Sequence, residues 1–263
     1  MLNTTTVNHW LRYWQPRPQA RLRLFCFPYA GGSAAIYRTW PELFPPDIEV
    51  CPVQLPGREN RLFEEPFSAL PPLVEELGKV LKPFLDRPYA FFGHSMGALI
   101  SFELTRLIRR QGEQQEPVHL YVSGHRAPHL PDPLPPCYHL PTEAFLEELK
   151  RLKGTPEEVL RTPELLELLL PLLRADFAVS ETYRYTEGQP LACPVTALGA
   201  THDSEVSTDE LHAWEKQTSS HFEIHLFPGD HFFLHTEEQA VIELLQNKLR
   251  EDMLSLQQSY TGN

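Results

Sequence analysis

Gly93-His94-Ser95-Met96-Gly97 lies between an apolar run, Tyr89-Ala90-Phe91-Phe92, and a helical pattern that opens at Ala98. A G-x-S-x-G with a strand before it and a helix after it reads as a serine held on a sharp turn, the nucleophile elbow. The turn is tight enough that the residues two before and two after the serine crowd each other, which calls for glycine. The alternative is a small-residue turn without chemistry, and the flanking strand and helix argue against it.

The 263 residues suit one large domain, or one domain with a sizeable insertion. With 41% hydrophobic and 11% aromatic residues a buried core is expected, with disorder confined to ends such as Met1 to Asn8 and Ser259 to Asn263. The formal charge of −12 disfavours a nucleic-acid partner, because phosphate backbones demand basic surfaces. Cys26, Cys51, Cys137 and Cys193 are widely spaced with no C-x-x-C, so they are expected to be reduced thiols in a cytoplasmic protein. Met1 to Trp14 does not read as a secretory signal, and the leucine-rich stretch Leu165 to Leu173 is interrupted by Glu167 and Pro171. A soluble protein with no membrane partner is expected.

Short apolar runs alternate with helical patterns, which predicts a mostly parallel sheet flanked by helices. The candidate strands are Leu22 to Phe27, Glu49 to Gln54, Tyr89 to Phe92, Val118 to Ser123, Pro194 to Leu198 and Phe222 to Phe227. The candidate helices are Leu70 to Leu85, Met96 to Gln111, Asp209 to Gln217 and Glu237 to Gln257, with Gly112 at a helix stop. Together with the elbow this is the α/β-hydrolase fold, a single domain over residues 1–263.

Residues 126–189 break the rhythm. A proline-dense segment leads into three leucine-rich helix candidates, Thr142 to Leu152, Pro156 to Arg161 and Pro163 to Tyr183, with no strand among them. An insertion there is expected to lie over the carboxyl edge of the sheet, where α/β folds bind ligands, and so to act as a helical lid. Leu165, Leu166, Leu168, Leu169, Leu172 and Leu173 would pack that lid onto the body, or line a pocket for an apolar substrate; for any single leucine packing is the better reading.

A serine nucleophile needs a base oriented by a carboxylate, and in this fold the chain order is Ser, Asp or Glu, His, each after a strand. Of the twelve histidines, His231 lies on the loop after the last candidate strand, in Pro228-Gly229-Asp230-His231-Phe232. The loop after the preceding strand, Gly199-Ala200-Thr201-His202-Asp203-Ser204-Glu205, offers Asp203 as the acid, with Glu205 and Asp230 as competitors. Two backbone N–H donors would hold the oxyanion, one from Met96 after the serine and one from Ala30 in Pro28-Tyr29-Ala30-Gly31-Gly32-Ser33. Gly31-Gly32 would let the backbone approach a ligand, or simply form a turn.

Over about Leu22 to Leu249 the chain resembles the type II thioesterases of non-ribosomal peptide and polyketide synthesis, which are related to acyl-carrier-protein thioesterases of fatty-acid synthesis. The resemblance rests on Phe27-Pro28-Tyr29-Ala30-Gly31-Gly32-Ser33, Gln54-Leu55-Pro56-Gly57-Arg58-Glu59, Gly93 to Gly97, Gly199 to Asp203 and Pro228 to Phe232. Tyr29 stands where many relatives have histidine. The family implies hydrolysis of acyl thioesters on the phosphopantetheine arm of acyl or peptidyl carrier protein domains, which clears blocked synthases. By motif, Ser95 is nucleophile, His231 base, Asp203 its partner, and Met96 and Ala30 the oxyanion donors; no metal or bound cofactor is required, and a monomer is expected. The rivals are a chain-terminating medium- or long-chain acyl-carrier-protein thioesterase, a carboxylesterase, and a non-catalytic synthase-binding partner. Arg58, Glu59 and Arg61 read first as an ion-paired loop and second as a guanidinium site for the pantetheine phosphate. Arg106, Arg109 and Arg110 read as a docking patch or as an ordinary solvated helix face.

Overall fold

Alternation along the strands builds two apolar layers back to back. On β1 (Leu22–Phe27), Leu22, Leu24 and Cys26 join one core while Phe25 and Phe27 join the other. On β3 (Tyr89–His94), Ala90 and Phe92 take the first side and Phe91 the second. A strand buried on both faces belongs inside a parallel sheet covered by helices. The computed structural model describes residues 9–112 and 115–261.

With β2 (Ile48–Pro52), β4 (His119–Ser123), β5 (Val195–Ala200) and β6 (Phe222–Phe227), the six strands form one sheet in the order β2-β1-β3-β4-β5-β6. Every pairing is parallel. Strand order turns back between β1 and β3, so the connections leaving their carboxyl ends diverge and open a crevice there. Ser95 follows directly on β3.

Helices α1 (Leu70–Leu81) and α2 (Met96–Gln111) cover one face through Leu73, Leu77, Leu99 and Phe102, and α7 (Glu238–Thr261) covers the other through Val241, Leu245 and Leu249. Helix α2 stops as expected: Gly112 turns left-handed at φ +65° and its N–H reaches the carbonyls of Ile108 and Arg109.

Several boundaries differ from the sequence reading, each for a local reason. Helix α1 ends at Leu81 and continues as the tighter turn Lys82–Phe84, which carries Pro83. The expected helix Asp209 to Gln217 is α6 (Thr208–His212), started by a Ser207–Glu210 capping box, followed by a tight-turn segment Ala213–Gln217. The second strand leaves the ladder at Pro52 instead of Gln54, because the Gln54 N–H donates to Trp10. The third and fifth strands run on through Gly93 and Gly199, which remain paired with Val122 and Leu226. Helix α7 begins one residue later than expected and continues to Thr261. Met1 to Asn8 and residues 262 and 263, expected to lack order, lie outside the described residues.

Between β4 and β5 come α3 (Thr142–Leu152), α4 (Glu157–Arg161) and α5 (Pro163–Glu181). They have an apolar cluster of their own, Cys137, Phe145, Leu149 and Leu173. The six leucines singled out on α5 divide: Leu172 and Leu173 are buried, while Leu165 and Leu168 stay exposed. No described helix is long and apolar enough to cross a membrane. The four cysteines are buried free thiols.

Candidate active site

The tight turn of the elbow is visible atom by atom. A Cβ on Gly93 would stand 2.0 Å from the Gly97 carbonyl oxygen, and one on Gly97 would stand 2.2 Å from the Phe27 carbonyl oxygen. Ser95 between them takes φ +52°, ψ −117°, a conformation that costs a non-glycine residue on the order of 1–3 kcal/mol. Its N–H donates to the Ser123 carbonyl at 2.7 Å, which fixes the turn to the end of β4. Met96 begins α2, so its amide lies at the positive end of that helix.

Asp203 follows β5 and His231 follows β6, and the fold brings them together: His231 Nδ1 lies 2.9 Å from Asp203 Oδ2. The other carboxylate oxygen accepts the N–H groups of Glu205 (2.8 Å) and Val206 (3.2 Å). The Asp203 side chain is only 1% exposed, so these three partners replace its water. Neither competitor meets the imidazole. Glu205 pairs with Arg151 of α3 at 2.8 Å, and Asp230 accepts the Phe232 N–H at 3.0 Å.

Ser95, His231 and Ala30 line one cavity of about 1240 Å³. Much of its apolar wall, Leu130, Leu134, Leu140, Leu149, Leu152 and Phe177, comes from residues 126–189, and Leu99, Val206 and Phe232 add to it from the body. None of the six leucines singled out on α5 is in that wall. Apart from Leu99 on α2, the pocket-lining leucines lie in the proline-dense segment and on α3.

Behind the imidazole is a second histidine, His94, which the sequence shows only as the x of the G-x-S-x-G motif. His94 is fully buried, with Nδ1 2.8 Å from Ser123 Oγ and its ring 5.3 Å from that of His231. Burial, and the nearby His231 and His235, push its pKa well below the usual histidine range, so it stays neutral. His125, also in the cavity wall, is pushed down to about 4, chiefly by burial. Tyr29 packs edge-on to His94 and Phe232, and its hydroxyl meets His235 Nε2 at 2.9 Å.

The loop after β1 is held by the motif Gln54 to Glu59, for a reason not visible in sequence. The Gln54 side-chain oxygen accepts the Ala34 N–H (2.7 Å), the Arg58 guanidinium donates to the Gly32 carbonyl (2.7 Å), and Glu59 accepts the Ser33 hydroxyl (2.6 Å). Arg58 also makes a two-point ion pair with Asp176 of α5, at 2.8 and 3.0 Å, with both side chains almost fully buried. The ion-pair reading of Arg58 therefore agrees with the structure, and a guanidinium so occupied is not free for a phosphate. Gly31 and Gly32 are closely packed as well, since a Cβ would stand 2.7 Å from Leu173 Cδ2 at the first and 2.5 Å from Ile36 Cδ1 at the second.

A scan against family models matches the thioesterase domain over residues 22–249. The chain belongs to the thioesterase domain family. This thioesterase is 47% identical over 244 residues to the gramicidin S biosynthesis protein GrsT of Aneurinibacillus migulanus, covering 93% of this chain and 95% of the relative. It is 46% identical over 246 residues to the linear gramicidin dehydrogenase LgrE of Brevibacillus parabrevis, covering 92% and 93%. The dehydrogenase in that name belongs to that protein; here the loop after β1 reads Pro28-Tyr29-Ala30-Gly31-Gly32-Ser33, not the G-x-G-x-x-G of a dinucleotide site. Among solved structures, RedJ, a thioesterase from the prodiginine biosynthetic pathway of Streptomyces coelicolor, superposes with a TM-score of 0.82 at 37% identity, covering 88% of this chain and 92% of RedJ. The medium-chain S-acyl fatty acid synthase thioesterase of Rattus norvegicus is more distant, at 32% identity over 220 residues, covering 82% of this chain and 83% of the relative. The α/β-hydrolase fold read from the elbow is thus the fold observed.

Proposed function

We propose that this thioesterase is of type II, removing acyl groups from the phosphopantetheine arm of acyl or peptidyl carrier protein domains and so restoring blocked non-ribosomal peptide or polyketide synthases. The observation that carries the reading is Ser95 on its strained turn, sharing a cavity with a His231 whose Nδ1 is taken by Asp203. The Asp203 contact leaves His231 Nε2 as the nitrogen that exchanges protons. Ser95 Oγ attacks the thioester carbonyl while His231 takes its proton, and the oxyanion rests on the Met96 and Ala30 amides. The C–S bond breaks, and His231 returns the proton to the departing thiol. Water then attacks the acyl-serine with His231 again as base, releasing the acid and regenerating Ser95. These steps call on no metal or cofactor.

Residues 126–189 act as the lid over this cavity and supply much of its apolar wall, which suits an acyl chain. The partners are carrier protein domains. Because the chain carries a formal charge of −12 and carrier proteins are typically acidic, docking uses local contacts and the pantetheine arm in place of whole-molecule attraction. The Arg106 and Arg109 side chains are already engaged, with Glu103 and the Thr186 carbonyl, and with Glu116 and the Gln189 and Pro190 carbonyls. That disfavours them as a docking patch. The protein acts as a cytoplasmic monomer, in keeping with its free thiols.

Intact-protein mass spectrometry on acetyl-, aminoacyl- and long-acyl-carrier proteins tests the reading. Broad deacylation by the wild type and none by Ser95→Ala is expected. Turnover restricted to long acyl chains would favour the fatty-acid chain-terminating role, and near-normal turnover by Ser95→Ala would remove the serine mechanism. Labelling of Ser95 by a fluorophosphonate separates a catalyst from a non-catalytic binding partner.

A further inference from the structure

The Asp176 carboxylate sits on α5, yet its partners lie on two loops of the body. Oδ2 accepts the Gly31 N–H at 2.7 Å and an Arg58 Nη1 contact at 3.0 Å, and Oδ1 accepts Arg58 Nη2 at 2.8 Å. Arg58 Nη1 also donates to the Gly32 carbonyl, and Arg58 Nε donates to the Pro56 carbonyl at 3.2 Å. One buried ion pair therefore pins the loop beside Ala30 at two points, the Ala30–Gly31 peptide by its N–H and the Gly32–Ser33 peptide by its carbonyl.

The same face of α5 lies against both glycine turns. A Cβ on Gly31, at φ +77°, would stand 2.7 Å from Leu173 Cδ2, and one on Gly57, at φ +83°, would stand 3.2 Å from Leu172 Cδ1. Leu172, Leu173 and Asp176 are spaced to share one side of a helix. The helix and the loop thus meet without intervening side chains from the loop.

We infer that Asp176 is a positioning residue: through Gly31 and Arg58 it aims the Ala30 amide into the cavity, so that the oxyanion site is complete only when α5 is docked. This rests on the assignment of Ala30 as an oxyanion donor made above. The carboxylate acts on the rate of the chemical step, because the loop it holds contacts charge that develops only in the transition state. A helix anchor without that role would change stability, or the binding of substrates that touch α5, and nothing else.

The test uses the full chain and a minimal thioester, acetyl-N-acetylcysteamine, with phenylboronic acid as a probe that forms a tetrahedral adduct on Ser95. Asp176→Ala is expected to lower kcat about 100-fold with KM within about threefold, and to weaken boronate binding by a similar factor. Asp176→Asn retains one acceptor oxygen for Gly31 but no charge for Arg58, and is expected to lose only about tenfold in kcat. If Asp176→Ala does not fold, the isosteric Asn variant decides. Wild-type kcat in the folded variants, or a loss confined to KM or melting temperature, overturns the inference. Wild type and Ser95→Ala run alongside: an inactive wild type, or an active Ser95→Ala, removes the serine mechanism and this inference with it. An active wild type, a dead Ser95→Ala and unaffected Asp176 variants remove this inference alone.

Discussion

One oxygen of Asp203 faces His231 Nδ1 at 2.9 Å while the other closes its own turn on the N–H groups of Glu205 and Val206. Orientation and charge are therefore supplied by the same carboxylate. Asp203→Asn preserves the turn contacts but presents an amide to the imidazole, favouring the wrong tautomer. The expected result is a kcat lower by about 10³- to 10⁴-fold in a folded protein, checked by steady-state hydrolysis and circular dichroism.

Glu205 is the natural control for that experiment. Its partner is Arg151, whose side chain is 43% exposed, and such pairs contribute about 0–1 kcal/mol. Glu205→Gln is expected to keep kcat within a few-fold of wild type. A loss as large as that of Asp203→Asn would move the acid role to Glu205.

An elbow glycine and the glycine that ends α2 separate sterics from backbone preference. Gly93→Ala drives a methyl to within 2.0 Å of the Gly97 carbonyl oxygen, a backbone atom that has no room to move. This variant is expected to lose at least about 3 kcal/mol or to fail to fold. Gly112→Ala meets nothing within 4 Å and carries only the left-handed strain of φ +65°, so about 1–2 kcal/mol is expected. Urea melts of the two variants check the contrast.

Two neutral histidines, the buried His94 and His125 in the cavity wall, give stability a defined pH dependence. His125 is pushed down to about 4 when folded, against about 6.5 unfolded, so the unfolded chain binds the extra proton between those values. Stability should rise with pH across that window, by on the order of 2–3 kcal/mol for this group, and level off above it. His94 acts in the same direction. Melting temperatures from pH 4.5 to 8 should follow this course, and His125→Gln should flatten the slope.

Burial raises the pKa of all four thiols, with Cys137 and Cys193 each pushed up to about 12. Thiolate is then scarce at neutral pH. Ellman's reagent should find almost no reactive thiol in the native protein, and four after denaturation in guanidinium.

Much of this was legible because it is local. Short apolar runs marked the strands, apolar residues three and four apart marked α1, α2 and α7, and strand ends located Asp203 and His231 by their order along the chain. The wall of the cavity was read less well: leucine density pointed to α5, whereas Leu134, Leu140 and Leu152 face the cavity from a proline-rich segment and from α3. His94, next to the nucleophile in sequence, becomes a buried neutral group only when β4 and the loop after β6 close around it.

The chain's own chemistry was enough for the elbow, the parallel sheet and the sequence Ser, Asp, His, because glycine, side-chain periodicity and turn residues act over a few positions. Only the tertiary structure decided what Gln54, Arg58, Glu59 and Asp176 do. Their partners Ala34, Gly32, Ser33 and Gly31 are distant in sequence, and no local preference encodes a hydrogen bond between a helix and a loop that meet only when the sheet has formed.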